Sequence, residues 1–128
     1  MTAFLDLDDL MAVAEAALGG PPEVRDYGLL DSALARPQAT VFGTDAYPDV
    51  HHKGAALLHL LVRNHALVDG NKRVGWVAVR LFYVVNGLDL RADHDDAFEF
   101  VMGVASGTIT DVGEMAGWLA ARVGALPT

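Results

Sequence analysis

The segment that decides the fold is His65-Ala66-Leu67-Val68-Asp69-Gly70-Asn71-Lys72-Arg73. It joins two long apolar segments and gathers a histidine, a carboxylate, a glycine, an amide and two adjacent cations. A helix that begins at a glycine presents unpaired N–H groups and partial positive charge, which suit an anion such as phosphate. We therefore predict a helical scaffold that holds this junction in place.

The two flanking segments predict long buried helices. The third helix of the chain is expected from about Pro48 to Ala66, and the fourth from Gly70 or Asn71 to Val85. Both are apolar on nearly every side, which is typical of central helices. The β-branched residues of the fourth segment would also suit a strand, but fifteen residues without a turn signal favour a helix.

Four further helices are predicted from caps and helical spacing. They run from Leu7 to Leu18 after Asp6, from Tyr27 to Arg36 after Asp26, from Asp93–Asp96 towards Gly107, and from Thr110 or Asp111 through Trp118 and Val123. Residues 39–48 lack helical period and predict a loop, with a short extended strand as an option. The expected fold is a compact, all-α, six-helix bundle in one domain, residues 1–128, with a short loop between helices 2 and 3.

The composition of the chain limits which classes of molecule we expect it to bind. The chain has 128 residues, no cysteine, 52% hydrophobic residues and a formal net charge of −8. Nucleic acids and anionic membranes are bound through Lys and Arg, so neither is expected as a direct partner. The N-terminus lacks the basic start of a secretory signal, and we expect a cytoplasmic protein. The high hydrophobic content predicts either a well-filled core or an apolar surface that a partner covers.

Charge is unevenly distributed along the chain. Between His51 and Gly87 the single acid is Asp69, whereas five cations fall in this range: Lys53, Arg63, Lys72, Arg73 and Arg80. Buried helices that carry few acids would explain this pattern. Local capture of an anion by an otherwise acidic protein would explain it equally well.

Each polar residue of the junction has a chemical interpretation. His65 is a candidate base for a hydroxyl nucleophile, and Asp69 a candidate Mg²⁺ ligand beside nucleotide phosphates. Gly70 and Asn71 would supply N–H donors at the helix start. Phosphate oxygens would be bound by Lys72 and Arg73, with Arg63 as a further cation.

The same nine residues resemble the signature of the Fic/Doc superfamily, His-x-Phe-x-(Asp/Glu)-(Gly/Ala)-Asn-(Gly/Lys)-Arg. Lys72 matches the Doc (death-on-curing) branch, whereas the AMP-transferring Fic branch has glycine there. Val24–Pro37 and Gly103–Ile109 also resemble the corresponding segments of Doc-like proteins, so the likeness spans essentially the whole chain.

This resemblance implies the toxin of a type II toxin–antitoxin pair. It implies a protein kinase that uses ATP and Mg²⁺ to phosphorylate a threonine of elongation factor Tu and so arrests translation. By match to the motif, the catalytic residues are His65, Asp69 and Arg73, the metal ligand is Asp69, and the nucleotide-binding residues are Arg63, Gly70, Asn71, Lys72 and Arg73. The loop at Val41–Tyr47 would be the flap that docks the target. Transfer of AMP to a protein hydroxyl, or an inactive antitoxin-binding module, are the alternatives.

Two departures from the family pattern affect the expected activity. Leu67 stands where the motif prefers phenylalanine, a position that packs beneath the loop. The self-inhibitory motif of many Fic proteins has no match, because Met115 follows the pair Thr110 and Glu114. Inhibition is therefore expected from a Phd-like antitoxin whose C-terminal segment lies in an apolar groove.

Five aromatic or histidine residues outside the motif have simpler interpretations. His51, His52 and His59 are expected at a surface or a helix start rather than at a metal ion. Trp76 and Trp118 are expected in the core rather than against a nucleobase.

Overall fold

The computed structural model describes residues 1–127, and six α-helices make up most of this range. They are α1 (Leu7–Leu18), α2 (Tyr27–Ala35), α3 (Val50–Arg63), α4 (Asn71–Val85), α5 (His94–Ser106) and α6 (Val112–Ala120). Four short strands form two antiparallel pairs, β1 (Thr40–Val41) with β2 (Thr44–Asp45), and β3 (Leu88–Leu90) with β4 (Val123–Ala125). The predicted six-helix, all-α fold is confirmed.

Aspartates begin most of the helices. The side chains of Asp6, Asp26, Asp93 and Asp111 each accept a hydrogen bond from the backbone N–H three residues further on. Asp6 and Asp26 are the predicted caps, whereas the sequence left the starts of the fifth and sixth helices open by one or more residues. Such caps satisfy N–H groups that have no partner inside the helix, at about 1 kcal/mol each. Part of the chain's acidity therefore serves helix initiation.

The third helix is shorter than predicted at both ends. It begins at Val50 because Asp49 caps it, accepting from the N–H of His52 at 2.8 Å, so Pro48 lies outside the helix. It ends at Arg63 instead of Ala66, with Asn64 as its C-terminal cap. This earlier end changes the geometry of the motif.

The end of the last helix also differs from the prediction. Val123, expected on one side of the sixth helix, lies instead in strand β4 and pairs with Leu90 of β3. The two residues are far apart in sequence, so local periodicity carries no sign of their pairing.

Helices α3 and α4 form the centre of the molecule and contribute to two hydrophobic clusters. One cluster joins them to α1 and α2 and includes Leu57 and Phe82. The other joins them to α5 and α6 and includes Leu58 and Val79. Opposite sides of both central helices are therefore buried, which accounts for their apolar character all round.

The expected loop between helices 2 and 3 contains a hairpin. Strands β1 and β2 pair Thr40 with Asp45 and Val41 with Thr44 across a turn at Phe42 and Gly43. Both turn residues have positive φ, 51° and 78°, as a two-residue hairpin turn of this hand requires. The Phe42 side chain is fully exposed at the tip.

None of the helices in residues 1–127 combines the length and the apolar character needed to cross a membrane.

Candidate active site

The motif histidine lies in a loop rather than in a helix. The predicted third helix included His65, but α3 ends at Arg63, so His65 and Asp69 do not share a helical turn. His65 adopts a left-handed backbone conformation, with φ of 53°, and its side chain is exposed. A residue other than glycine rarely holds this conformation, so the loop around it is strongly constrained.

Residues before α2 hold the motif loop from one side. The carbonyl of Ala66 accepts hydrogen bonds from the N–H groups of Arg25 and Asp26, at 2.8 and 3.1 Å. The N–H of Val68 in turn donates to the carbonyl of Glu23 at 2.9 Å. These bonds involve one of the two segments that resemble Doc-like proteins outside the motif, and they show what this segment does structurally.

Asn71 holds the loop from the other side. Its side chain accepts from the N–H of Leu67 and donates to the carbonyl of Leu67, both at 3.0 Å. The Leu67 side chain is only 2% exposed and packs in the core beneath the loop, as the motif position requires. The Asn71 amide is therefore used to shape the loop, and the donors that this helix start presents are backbone N–H groups.

Gly70 begins α4 in a conformation that favours glycine. Its φ is 84°, and a Cβ atom at this position would overlap Cδ2 of Leu18. The first turn of α4 then carries Lys72 and Arg73, both exposed to solvent. Asp69 is also exposed, and its Oδ1 accepts from the N–H of Gly70 at 2.8 Å.

These residues form one wall of a cleft of about 530 Å³. Residues 69–73 lie at its polar end. A second wall comes from α5 and is largely apolar, with His94, Ala97, Phe98, Val101 and Met102. The cleft thus has a cationic end at a helix N-terminus and an apolar side, which suits a ligand with phosphates and a flat apolar part.

Two of the predicted site residues, Arg63 and His65, lie outside the cleft. In the described part of the chain, neither Arg63 nor His65 belongs to the cleft lining. The Nη1 atom of Arg63 donates to the carbonyl of Ala105 at 2.8 Å, at the C-terminus of α5, where a cation is favourable. Arg63 therefore ties α5 to the end of α3, whereas His65 lies in the exposed loop beside the cleft.

The other three histidines have separate partners. His51 contacts the hydroxyl of Tyr83, His52 contacts Asp49, and His59 contacts Arg36. Among the residues described, no group of three or more His, Cys, Asp or Glu side chains is arranged to hold a metal ion.

The two tryptophans differ in their surroundings. Trp118 is stacked between the ring of Phe100 and the guanidinium of Arg122, each centred 3.9 Å away. Trp76 packs edge-on against Trp118 and also lines the cleft. Trp118 therefore packs in the core, as predicted. Trp76 packs against the core too, but it is also part of the cleft lining.

The α5 wall was not predicted from the sequence. The sequence predicts a fifth helix from Asp93–Asp96 towards Gly107 and gives it no part in the site, whereas His94, Phe98 and Met102 of α5 line the cleft. Phe98 is 59% exposed, but this exposure is visible only in the structure, so no pattern of residue types points to this face. The position of Phe98 in the same cleft as Arg73 depends on tertiary packing.

Two comparisons with known proteins identify the family of this chain. The model of the Fic/DOC family matches residues 4–83, which include α1, the hairpin, the motif loop and most of α4. A protein of Mycolicibacterium smegmatis named Toxin Doc is 50% identical over 129 residues, covering 100% of this chain and 99% of that protein. The chain therefore belongs to the Fic/Doc family, in the branch of the Doc toxins.

Proposed function

We propose that this protein is the toxin of a type II toxin–antitoxin pair. Its activity would be that of a protein kinase, transferring the γ-phosphate of ATP to a threonine hydroxyl of elongation factor Tu. The 50% identity to a Doc toxin over the full chain supports the toxin role, and the family resemblance supplies the target. The observation that carries the chemistry is the cleft wall of residues 69–73, where exposed Lys72 and Arg73 lie at a helix N-terminus beside an exposed histidine loop.

The proposed step is an in-line transfer. The threonine Oγ forms a bond to the γ-phosphorus as the bond from that phosphorus to the β,γ-bridging oxygen breaks, and ADP leaves with the electron pair. His65 accepts the hydroxyl proton and later releases it to solvent. Such transfer depends mainly on positioning and on charge stabilisation.

Charge at the cleft suits the phosphates. Lys72 and Arg73 would bind phosphate oxygens, Arg73 in a two-pronged manner. The N–H groups of the first turn of α4 would add hydrogen bonds. Asp69 supplies one exposed carboxylate, which fits Mg²⁺ as it is usually held, by one or two carboxylates together with nucleotide phosphates. When bound, Mg²⁺ would neutralise phosphate charge.

Labelled ATP distinguishes the kinase from its alternatives. We expect elongation factor Tu to acquire label from γ-labelled ATP and none from α-labelled ATP, and His65→Ala to abolish the labelling. Label from the α-phosphate would instead show AMP transfer. If neither label is transferred and expression causes no growth arrest, the protein is an inactive antitoxin-binding module.

We further propose that a Phd-like antitoxin inhibits the toxin through the apolar wall of the cleft. Phe98 and Met102 lie one helical turn apart on α5 and are 59% and 39% exposed. An amphipathic C-terminal segment would cover them and so close the cleft beside residues 69–73.

Charged substitutions test this groove. Phe98→Glu should weaken antitoxin binding at least tenfold in calorimetry, because it places a carboxylate among apolar contacts worth about 2 kcal/mol. Val85→Glu, on an apolar residue that is 44% exposed at the far end of α4, should leave binding unchanged. Equal losses in the two variants would contradict the assignment.

A further inference from the structure

Within residues 1–127, Lys53 of α3 is the one buried polar or charged side chain, at 4% exposure. It lies in the first turns of the helix, where the helix dipole disfavours a cation. Removing an ammonium from water is costly unless it is paired and hydrogen-bonded. The contacts of Lys53 must therefore compensate for both effects.

Both hydrogen-bond acceptors of the Lys53 ammonium lie in residues 45–47, where the chain leaves the hairpin formed by β1 and β2. Its Nζ atom donates to Oδ2 of Asp45 at 3.1 Å, and Asp45 is the last residue of β2. It also donates to the backbone carbonyl of Tyr47, two residues further on. The buried cation thus joins the central helix of the bundle to the stem of the hairpin.

A second cation, Arg36, binds the same segment through Tyr47. Arg36 donates through Nε to the Tyr47 hydroxyl at 2.8 Å, and its Nη1 lies 2.8 Å from Nδ1 of His59 on α3. Tyr47 is therefore fixed by its carbonyl and by its side chain. In contrast, Val41 and Phe42 at the tip are exposed, so packing at the tip does not set the direction of the hairpin.

We infer that Lys53 is a positioning residue for the protein substrate. Its buried ammonium fixes the hairpin stem on α3, the helix whose C-terminal end leads into the His65 loop. The hairpin direction relative to His65 is thereby set. The part of this inference that concerns substrate rests on the proposed kinase function, whereas the anchoring of the hairpin does not.

Lys53→Met tests the inference because methionine fills similar space without charge. The hydrogen-bonded amides of residues 40–46 should exchange about tenfold faster by NMR, as expected for the loss of hydrogen bonds to a charged group. Amides of residues 64–73 should keep their wild-type rates. The KM for elongation factor Tu should rise about tenfold, with kcat and the KM for ATP unchanged.

The melting temperature shows whether Lys53 positions the hairpin or only stabilises the fold. Lys53→Met removes the buried charge, and the Asp45 carboxylate that stays behind is 59% exposed and hydrated, so no charge is left buried without a partner. The melting temperature of Lys53→Met should therefore equal or exceed that of the wild type. Asp45→Asn, at a residue that is 59% exposed, removes the partner charge but keeps a side-chain oxygen as acceptor for the Lys53 ammonium, and it should change exchange and KM in the same direction. Arg80→Met, which removes an exposed cation of α4, is the control and should change none of these quantities.

Two results would overturn the inference. One is unchanged exchange of residues 40–46 in both Lys53→Met and Asp45→Asn. The other is faster exchange with an unchanged KM for the protein substrate, since the anchor would then have no part in substrate positioning. If the wild type transfers no phosphate, the proposed function fails, and the exchange measurement still decides whether Lys53 anchors the hairpin.

Discussion

His65 combines an exposed side chain with a backbone conformation that costs an L-residue about 1 kcal/mol or more. No fold requirement explains a histidine at this position, because glycine would hold φ of 53° without strain. His65→Gly should therefore raise the free energy of unfolding by about 0.5 kcal/mol and abolish phosphoryl transfer. Denaturant titration and a transfer assay measure the two effects.

His65→Ala is the matched control for that prediction. Alanine keeps the strained conformation and removes the imidazole, so its stability should match the wild type and its transfer should also be lost. Equal stabilities of the glycine and alanine variants would contradict the account of strain.

Asn71 should act on stability as well as on activity. Asn71→Ala leaves the N–H and carbonyl of buried Leu67 without their partners, at a cost of about 2 kcal/mol in unfolding free energy. Gln38→Ala, which removes an exposed amide with one long bond of 3.4 Å, should change stability by less than about 0.5 kcal/mol. Similar losses in the two variants would show that Asn71 does not hold the loop.

At the residue scale, the sequence predicted caps well and the role of Asn71 poorly. The acids Asp6 and Asp26 cap helices because an N-cap acts on the N–H groups two or three residues away, which a sequence pattern captures. Asn71 was predicted to donate to an anion. Its pairing with both backbone groups of Leu67 depends on the loop conformation, which no pattern of residue types specifies.

At the element scale, contact between α3 and α4 depends on a small residue. A Cβ atom on Gly75 would lie 2.8 Å from Cγ2 of Val62, a buried β-branched side chain with little freedom to move. Gly75→Ala should therefore lower the free energy of unfolding by about 1–2 kcal/mol, despite the better helix propensity of alanine.

Gly117 of α6 provides the opposite case. It is exposed, and a Cβ atom there would meet no neighbour within 4 Å. Gly117→Ala should raise the free energy of unfolding by about 0.5–1 kcal/mol through helix propensity alone. Denaturant unfolding of both variants tests the pair, and a change of the same sign in both would contradict the close packing of α3 on α4.

Helix identities were predictable, whereas the end of α3 was not. The apolar periodicity of residues 48–66 continues past Arg63, so the sequence favours a longer helix. The helix ends early because Ala66 and Val68 pair with residues 23–26, and Asn64 bonds to the carbonyl of Leu29 at 2.9 Å. Long-range hydrogen bonds of this kind outweigh local propensity.

At the scale of the whole molecule, stability should depend on pH through His59. Partial burial lowers the pKa of His59 below its ordinary value, and the positive charges of Arg36 and Arg63 lower it further. The neutral ring accepts a hydrogen bond from Arg36 in the folded state. Because the pKa is lower in the folded state, this contribution is present above about pH 6.5 and is lost as the pH falls through the folded-state value.

His59→Asn isolates this effect, since asparagine keeps an acceptor for Arg36 and does not titrate. Between about pH 7 and pH 5 the melting temperature of the wild type should fall more than that of the variant. A parallel decline of the two melting temperatures would contradict the assignment to His59.

The cleft as a whole is the feature that was least predictable from the sequence. The motif predicted one wall, residues 69–73, from local chemistry. The other wall comes from Phe98 and Met102 of α5, which meet the motif through packing over the second hydrophobic cluster. The pairing of β3 with β4 escaped prediction for the same reason, because it joins segments distant in sequence.

The most direct test of the central claim is the intact mass of elongation factor Tu recovered from cells that express this protein or its His65→Ala variant. Wild-type expression is predicted to add the mass of one phosphate group to the factor, on a threonine, and the variant to leave the mass unchanged. An unmodified factor in arrested wild-type cells, or a gain that corresponds to a nucleotide, would contradict the account.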